Sequence, residues 1–134
     1  MTLRVEIMII ETNNNPGAKE LLNLFSQTTW AKDRSEESIK QMLKSNDLKV
    51  CLRDSNKLIG FGRIITDGCY RGLLDDIIID TSYRGKGYST LLMNELLKLA
   101  SNIDVIFLNA SPTLFVYYSK YGFEKYTGLT MIKK

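Results

Sequence analysis

The sequence predicts a mixed-sheet α/β domain, on three observations. Hairpin signals crowd the middle of the chain: LKVCLR (48–53), LIGFGRIIT (58–66) and GLLDDIIID (72–80) are separated by polar turns at Asp54–Lys57 and at Asp67-Gly68. The third of these strands, a Gly-rich loop, a helical stripe of Leu91, Leu92, Leu96 and Leu99, and the buried-type run DVIFLN (104–109) then read as a β-α-β crossover. With 134 residues the chain has the length of one domain, so residues 1–134 are read as a single unit.

Taken in order, residues 3–10 carry the β-branched and long apolar side chains of a first strand. Asn13, Asn14 and Asn15 ahead of Pro16 predict a helix start, followed by Ala18, Leu21, Leu22 and Phe25 at helical spacing. A polar connector (26–34) holds the single tryptophan, Trp30. Ser35 with Glu36 and Glu37 predicts a second helix start, because acidic groups favour the positive end of the helix dipole; Ile39, Met42 and Leu43 form its apolar stripe. After the three central strands and the crossover, Pro112 opens a last helix with Leu114, Tyr117, Tyr118 and Tyr121 on one face, and Gly122 ends it. Short strands near 123–127 and 129–133 flank Gly128, giving the order β-α-α-β-β-β-α-β-α-β-β.

Composition narrows the function. Hydrophobic residues at 44% and charged residues at 25% describe a globular protein. The net charge of +3 is evenly spread and argues against nucleic acid as a partner. There is no histidine, which excludes Ser-His-Asp, Cys-His and His-zinc chemistry within one chain and makes a metal centre unexpected. Cys51 and Cys69 are not in a CxxC spacing and read as reduced thiols of a cytoplasmic protein. No apolar run approaches the ~18 residues of a membrane span. MTLRVEIMIIE, with Glu6 inside it, reads as a strand and not as a signal peptide.

The chemistry concentrates in DDIIIDTSYRGKGYSTLLMNELL, where a strand ends, a basic Gly-rich loop follows and a helix begins. Gly85 and Gly87 let the backbone turn tightly and approach a ligand, and the helix start offers unpaired N–H groups. Arg84 and Lys86 add two cations, so a phosphate or pyrophosphate is the expected guest. The P-loop pattern GxxxxGK[ST] fails, because Asp80 replaces its first Gly and Gly87 its Ser/Thr. The dinucleotide pattern GxGxxG fails at Thr90 and falls late in a hairpin-rich chain.

Arg84-Gly85-Lys86-Gly87-Tyr88-Ser89 instead resembles the Arg/Gln-x-x-Gly-x-Gly/Ala signature of the GNAT N-acetyltransferase superfamily, with Ser89 where the family prefers Gly or Ala. ASPTLFVYYSKYGF is similar to the family's later motif, with Tyr118 four residues before the Gly122-Phe123 pair and Ser111 where an Asn often stands. LIGFGRIITDG, LLDDIIID and YRGKG look most like small bacterial members and their plastid-type, arylalkylamine-acetylating relatives. The resemblance implies a GNAT-like, mostly antiparallel mixed sheet with its fourth and fifth strands splayed around acetyl-CoA. It implies pyrophosphate contacts from Arg84 to Ser89, main-chain contacts to pantetheine from Ile77, Ile78 and Ile79, a side-chain contact from Ser111, and an oxyanion donor at the Ile78 N–H. It also implies Tyr118 as the acid that protonates the leaving thiolate.

With no histidine, a carboxylate, a water chain or solvent must serve as base. Asp75 and Asp76 are the carboxylate candidates, of which at most one would face the acceptor in a regular strand. The expected function is N-acetyl transfer to a small-molecule or peptide amine in the cytoplasm, without nucleic acid, membrane or metal; homodimers are common in the family. The alternatives are a non-catalytic acyl-CoA-binding module and, less well supported by the broken P-loop, a phosphoryl-transfer domain. Trp30, Tyr70 and Phe115 favour a small, partly apolar amine.

Overall fold

A computed structural model of the chain describes residues 5–134. Its strands, β1 (Met8–Thr12), β2 (Leu48–Asp54), β3 (Lys57–Thr66), β4 (Arg71–Ile79) and β5 (Val105–Phe107), form one sheet in the order β1-β2-β3-β4-β5. Neighbours from β1 to β4 are antiparallel, and β5 runs parallel to β4. The helices among the described residues are α1 (Ala18–Phe25), α2 (Glu36–Met42), α3 (Tyr88–Leu99) and α4 (Phe115–Ser119), with 3-10 turns at Thr81–Tyr83 and Pro112–Leu114.

Strand alternation sorts the apolar side chains into two cores, one per sheet face. Leu21, Leu24, Phe25 and Ile39 of α1 and α2 pack on Cys51, Leu58, Phe61 and Ile78. Leu92, Met93 and Leu96 of α3 pack on Val50, Leu52, Ile59, Ile64, Leu74 and Ile79. Each fully buried leucine or isoleucine contributes roughly 1.5–3 kcal/mol, which is what holds the helices to the sheet. α2 starts as expected, with the Ser35 Oγ accepting from the Ser38 N–H at 3.1 Å. α1 starts at Gly17, whose N–H donates to the Glu20 carboxylate at 2.8 Å, and not at the Asn run.

Two features of β4 shape the site. Its pairing with β5 is confined to Arg71↔Val105, Gly72↔Ile106 and Leu73↔Phe107, so from Leu74 onward the two strands part, as the resemblance implied. Its pairing with β3 jumps from Arg63↔Asp75 to Phe61↔Ile78, so Asp76 and Ile77 face the single residue Gly62. Asp76 takes a left-handed φ of 56° at this bulge.

Three further expectations change. The first strand is Met8–Thr12 where 3–10 was expected, and residues 1–4 lie outside the described residues. The last helix is shorter, with Pro112–Leu114 wound as a 3-10 turn ahead of α4. The closing strands expected at 123–127 and 129–133 do not form. A hairpin needs a covered apolar face, and Leu129, Met131 and Ile132 find no layer to cover them, remaining 85%, 83% and 71% exposed. The ring contact between Phe107 and Tyr126 at 5.9 Å ties this segment to β5.

Candidate active site

Where β5 leaves β4 a cleft of about 520 Å³ opens. Ile77, Ile78 and Ile79 form its floor; Tyr83, Arg84, Gly85, Gly87, Tyr88 and Ser89 form one wall. Leu114 and Tyr117 complete the lining with Thr28 and Trp30 of the connector between α1 and α2. A second concavity of about 560 Å³, between Asn13–Asn15 and Leu43–Lys49, is polar and already satisfied internally, for example by Asn15 Nδ2 on the Leu43 carbonyl at 2.8 Å.

The loop before α3 leaves main-chain amides open. Gly85 and Gly87 sit at φ 76° and 85°, a region other residues enter only under strain, and a Cβ added to either would meet nothing within 4 Å, so both open onto free space. Gly87 precedes the first residue of the 12-residue α3, whose leading amides have no intrahelical acceptor. The loop is anchored from behind. Asp80 Oδ1 accepts the Ser82 N–H at 2.8 Å, Gln27 Nε2 donates to Asp80 Oδ2 at 3.2 Å, and the Tyr83 hydroxyl donates to Asp54 at 2.6 Å. Burial alone would raise the Asp80 pKa, but the Ser82 N–H, the Gln27 amide and the Lys57 ammonium outweigh it and hold the carboxyl below its usual range.

The two loop cations diverge. Arg84 lines the cleft and its Nε donates to the Ile79 carbonyl at 3.1 Å. Lys86 turns to Glu6, which also accepts from the Tyr88 hydroxyl, and its ammonium lies 5.5 Å from the centre of the Tyr83 ring. The bond from Lys86 and then that from Tyr88 lower the Glu6 pKa, and the same bond to Glu6 pushes the Tyr88 phenol up to about 12.

Main-chain polarity on β4 is set by its pairing with β3. The Asp80 N–H donates to the Ile59 carbonyl at 2.7 Å, and Phe61 and Ile78 are register partners. In an antiparallel ladder successive residues address opposite neighbours, so Ile78 faces β3 while Ile77 and Ile79 face the gap left by β5. By this register the Ile79 N–H is turned toward the cleft and the Ile78 N–H toward β3.

The carboxylate pair also departs from simple alternation. Because of the bulge, Asp76 shares a sheet face with Arg63, whose Nε donates to Asp76 Oδ2 at 2.7 Å. Arg63 Nη1 donates to Asp47 at 2.8 Å, and Arg34 Nη2 lies 3.0 Å from Asp76 Oδ1, an ion-pair distance that does not satisfy hydrogen-bond geometry. Arg34 is itself packed over Phe25 at 4.5 Å and Trp30 at 5.6 Å. The Asp76 side chain is fully buried. Asp75 is half-buried, and its Oδ1 accepts the Asp76 N–H at 2.9 Å.

Tyr117 and Tyr118 are both half-buried, with ring centres 5.0 Å apart. Tyr118 packs against the α3-side core and meets Phe123 edge-on at 6.0 Å; burial raises its pKa. Tyr117 lines the cleft, and burial, chiefly, pushes its phenol up to about 12. Ser111 is exposed and shares a 3.0 Å hydrogen bond with Thr113 ahead of α4, outside the cleft lining. The sequence reading did not single out Tyr117, Tyr83, Thr28 or Leu114 as site residues. A phenol beside Tyr118 on a short helix was the one available signal, for Tyr117.

The chain belongs to the GNAT acetyltransferases: the model of the acetyltransferase (GNAT) domain matches residues 12–133. It is 29% identical over 122 residues to the uncharacterized N-acetyltransferase ycf52 of Pyropia yezoensis, covering 87% of this chain and 70% of that protein. A Staphylococcus aureus protein of unknown function superposes with a TM-score of 0.80 at 26% identity, covering 96% of this chain and 100% of the other. The aminoglycoside N-acetyltransferase AAC(6')-Iy in complex with CoA shares the fold at a TM-score of 0.73 and 16% identity, covering 100% and 99%. Family membership makes the protein an acetyltransferase with acetyl-CoA as the family's donor.

Proposed function

We propose that the cleft between β4 and β5 binds acetyl-CoA and that the chain transfers the acetyl group to a primary amine. One observation carries this reading. The unpaired main chain of β4 from Leu74 onward runs into the open amide cradle at Gly85–Gly87, so a thin amide-bearing arm and a diphosphate are accommodated end to end. The residues present fit that donor: Ile77 and Ile79 offer main-chain partners to pantetheine, and Arg84, Gly85, Gly87, Tyr88 and Ser89 surround the diphosphate end. Lys86 and Ser111 complete the set at longer range, with Lys86 contributing charge from its pair with Glu6.

Acetyl-CoA supplies the thioester, whose carbonyl carbon bonds the amine nitrogen as the carbon–sulfur bond breaks. A cleft-facing N–H of β4 supports the developing oxyanion. Tyr118 gives its phenolic proton to the leaving sulfur, and a raised phenol pKa suits a group that must stay protonated until a desolvated thiolate forms. Asp76 accepts a hydrogen bond from Arg63 and is ion-paired to Arg34, so this carboxylate holds the bulge, and Asp75 is the better candidate to take the amine proton, directly or through water. Trp30, 54% exposed at the cleft, and Phe115, also 54% exposed, favour a small, partly apolar acceptor. With Cys51 buried and Cys69 exposed and unpaired, we place the activity in a reducing cytoplasm.

The deciding experiment is a thiol-release screen with acetyl-CoA against a panel of arylalkylamines, polyamines, aminoglycosides and peptides. CoA release with one amine class supports the reading. Acetyl-CoA binding without release on any amine would leave a binding module instead.

A further inference from the structure

Open amides serve an incoming anion best when they are aimed before it arrives. Two glycines in the left-handed region make that hard, because glycine loses more backbone freedom on ordering than any other residue. A carboxylate from 80 positions away supplies the restraint. Glu6 Oε1 accepts from Lys86 Nζ and Glu6 Oε2 accepts from the Tyr88 hydroxyl, so one side chain holds the residues on both sides of Gly87. Tyr88 is the first residue of α3 and lines the cleft, whereas Glu6 does not line it. Glu6 is in turn fixed through its neighbour. The Ile7 N–H donates to Asp54 Oδ1 at 3.0 Å, and the Ile7 carbonyl accepts the Ser55 N–H at 2.8 Å. Asp54, 2% exposed, also accepts from the Tyr83 hydroxyl, and the Tyr83 ring centre lies 6.3 Å from that of Tyr88. Residues 6–7, the turn after β2 and the loop before α3 thus close into one ring of contacts that ends on both flanks of Gly87.

We propose that Glu6 is a positioning residue for donor binding: by stapling Lys86 and Tyr88 across Gly87, it holds the amides at the start of α3 in the orientation that receives a diphosphate. This rests on the reading of the cleft as the donor site, and adds to it a residue that touches no ligand. When only a fraction of the molecules hold the competent loop, the observed Kd rises by the inverse of that fraction. A loop that is competent a tenth of the time therefore binds about tenfold more weakly, with the complex itself unchanged. Charge and position make opposite predictions here. A carboxylate behind an anion site repels the anion, so neutralising Glu6 tightens an anionic ligand if charge is all that Glu6 contributes. The same change loosens the ligand if Glu6 contributes geometry.

The test is calorimetric binding of CoA to the wild-type chain, Glu6→Gln and Glu6→Asp, with thermal unfolding and amide hydrogen exchange of the ligand-free proteins alongside. Glu6→Gln is expected to weaken CoA about tenfold and to speed exchange at Gly87 and Tyr88. Glu6→Asp keeps the charge, withdraws the carboxylate by one methylene, and should weaken CoA as well, which a charge effect would not do. With an amine found by the thiol-release screen, KM for acetyl-CoA should rise by the same factor, while kcat and the KM for the amine stay within about twofold. In a Tyr88→Phe background, which already lacks one arm of the staple, Glu6→Gln should weaken CoA clearly less than it does in the wild-type chain. Wild-type or tighter CoA affinity in Glu6→Gln would overturn the staple while the donor site stood. A lower unfolding midpoint with CoA affinity and loop exchange unchanged would reduce Glu6 to a structural ion pair and overturn it too. No CoA binding by the wild-type chain would overturn the donor-site reading and the staple with it.

Discussion

Arg63 Nε donates a 2.7 Å hydrogen bond to Asp76 Oδ2, and the residue it holds sits in the left-handed region at φ 56°. The guanidinium thereby pins a bulge whose backbone most residues adopt only under strain. Replacing Asp76 by alanine leaves Arg63, only 12% exposed, with half of its pairing lost. Such a substitution should lower stability by about 3–5 kcal/mol. Asp76→Asn, which keeps an acceptor and tolerates the left-handed region, should lose clearly less. Urea unfolding midpoints of the two variants check both the size and the order.

Asp80 couples the loop before α3 to acidity. Its pKa in the folded chain lies below the ordinary value of about 3.9 for the unfolded chain. Its contribution to stability is therefore complete above the unfolded value and is lost as pH falls through the lower folded value. Asp80→Asn should flatten the dependence of stability on pH below roughly pH 5, leaving the behaviour above that point unchanged. Equal acid limbs for the two proteins would contradict this.

Tyr118→Phe should lower kcat by about 10²–10⁴-fold, the usual worth of a positioned acid, while CoA affinity stays near that of the wild-type chain. Single-turnover thiol release measures the first and calorimetry the second. Unchanged turnover would remove Tyr118 from proton transfer.

Gly87→Ala separates folding from binding. No atom lies within 4 Å of the added methyl, so the folded state bears only the left-handed backbone penalty, about 1–2 kcal/mol. The methyl nevertheless points into the space where an anion would approach the α3 amides. CoA affinity should fall by more than tenfold for that modest stability loss, and thermal melts with and without CoA would show the difference.

The parts of the molecule that local chemistry decides could be read from the chain. The Asp54–Lys57 and Asp67-Gly68 turns set the central hairpins, Ser35 caps α2 as its hydroxyl predicts, and the strand, glycine loop and α3 appear where spacing puts them. What could not be read depends on contacts between distant residues. Lys86 is drawn to Glu6 across 80 positions of chain, which no loop motif encodes. The bulge at Asp76 overrides the period-two rule, because Arg63 and Arg34 converge on one carboxylate. That Tyr117 and not Tyr118 lines the cleft follows from how the short α4 packs, and the closing strands fail because the hairpin they needed has no layer to lie on.

Leu74 and Ile79 are five positions apart on β4, an odd separation that ought to send them to opposite sides of the sheet, yet both enter the core beneath α3. β4 is in effect two short segments spliced one step out of phase, and Asp76 is the splice. Removing a single residue there would rotate Ile77, Ile78 and Ile79 half a turn, driving the wrong side chains under α3 and presenting the amides of the wrong residues to the cleft. The chain can accept a change of chemistry at this point far more readily than a change of length.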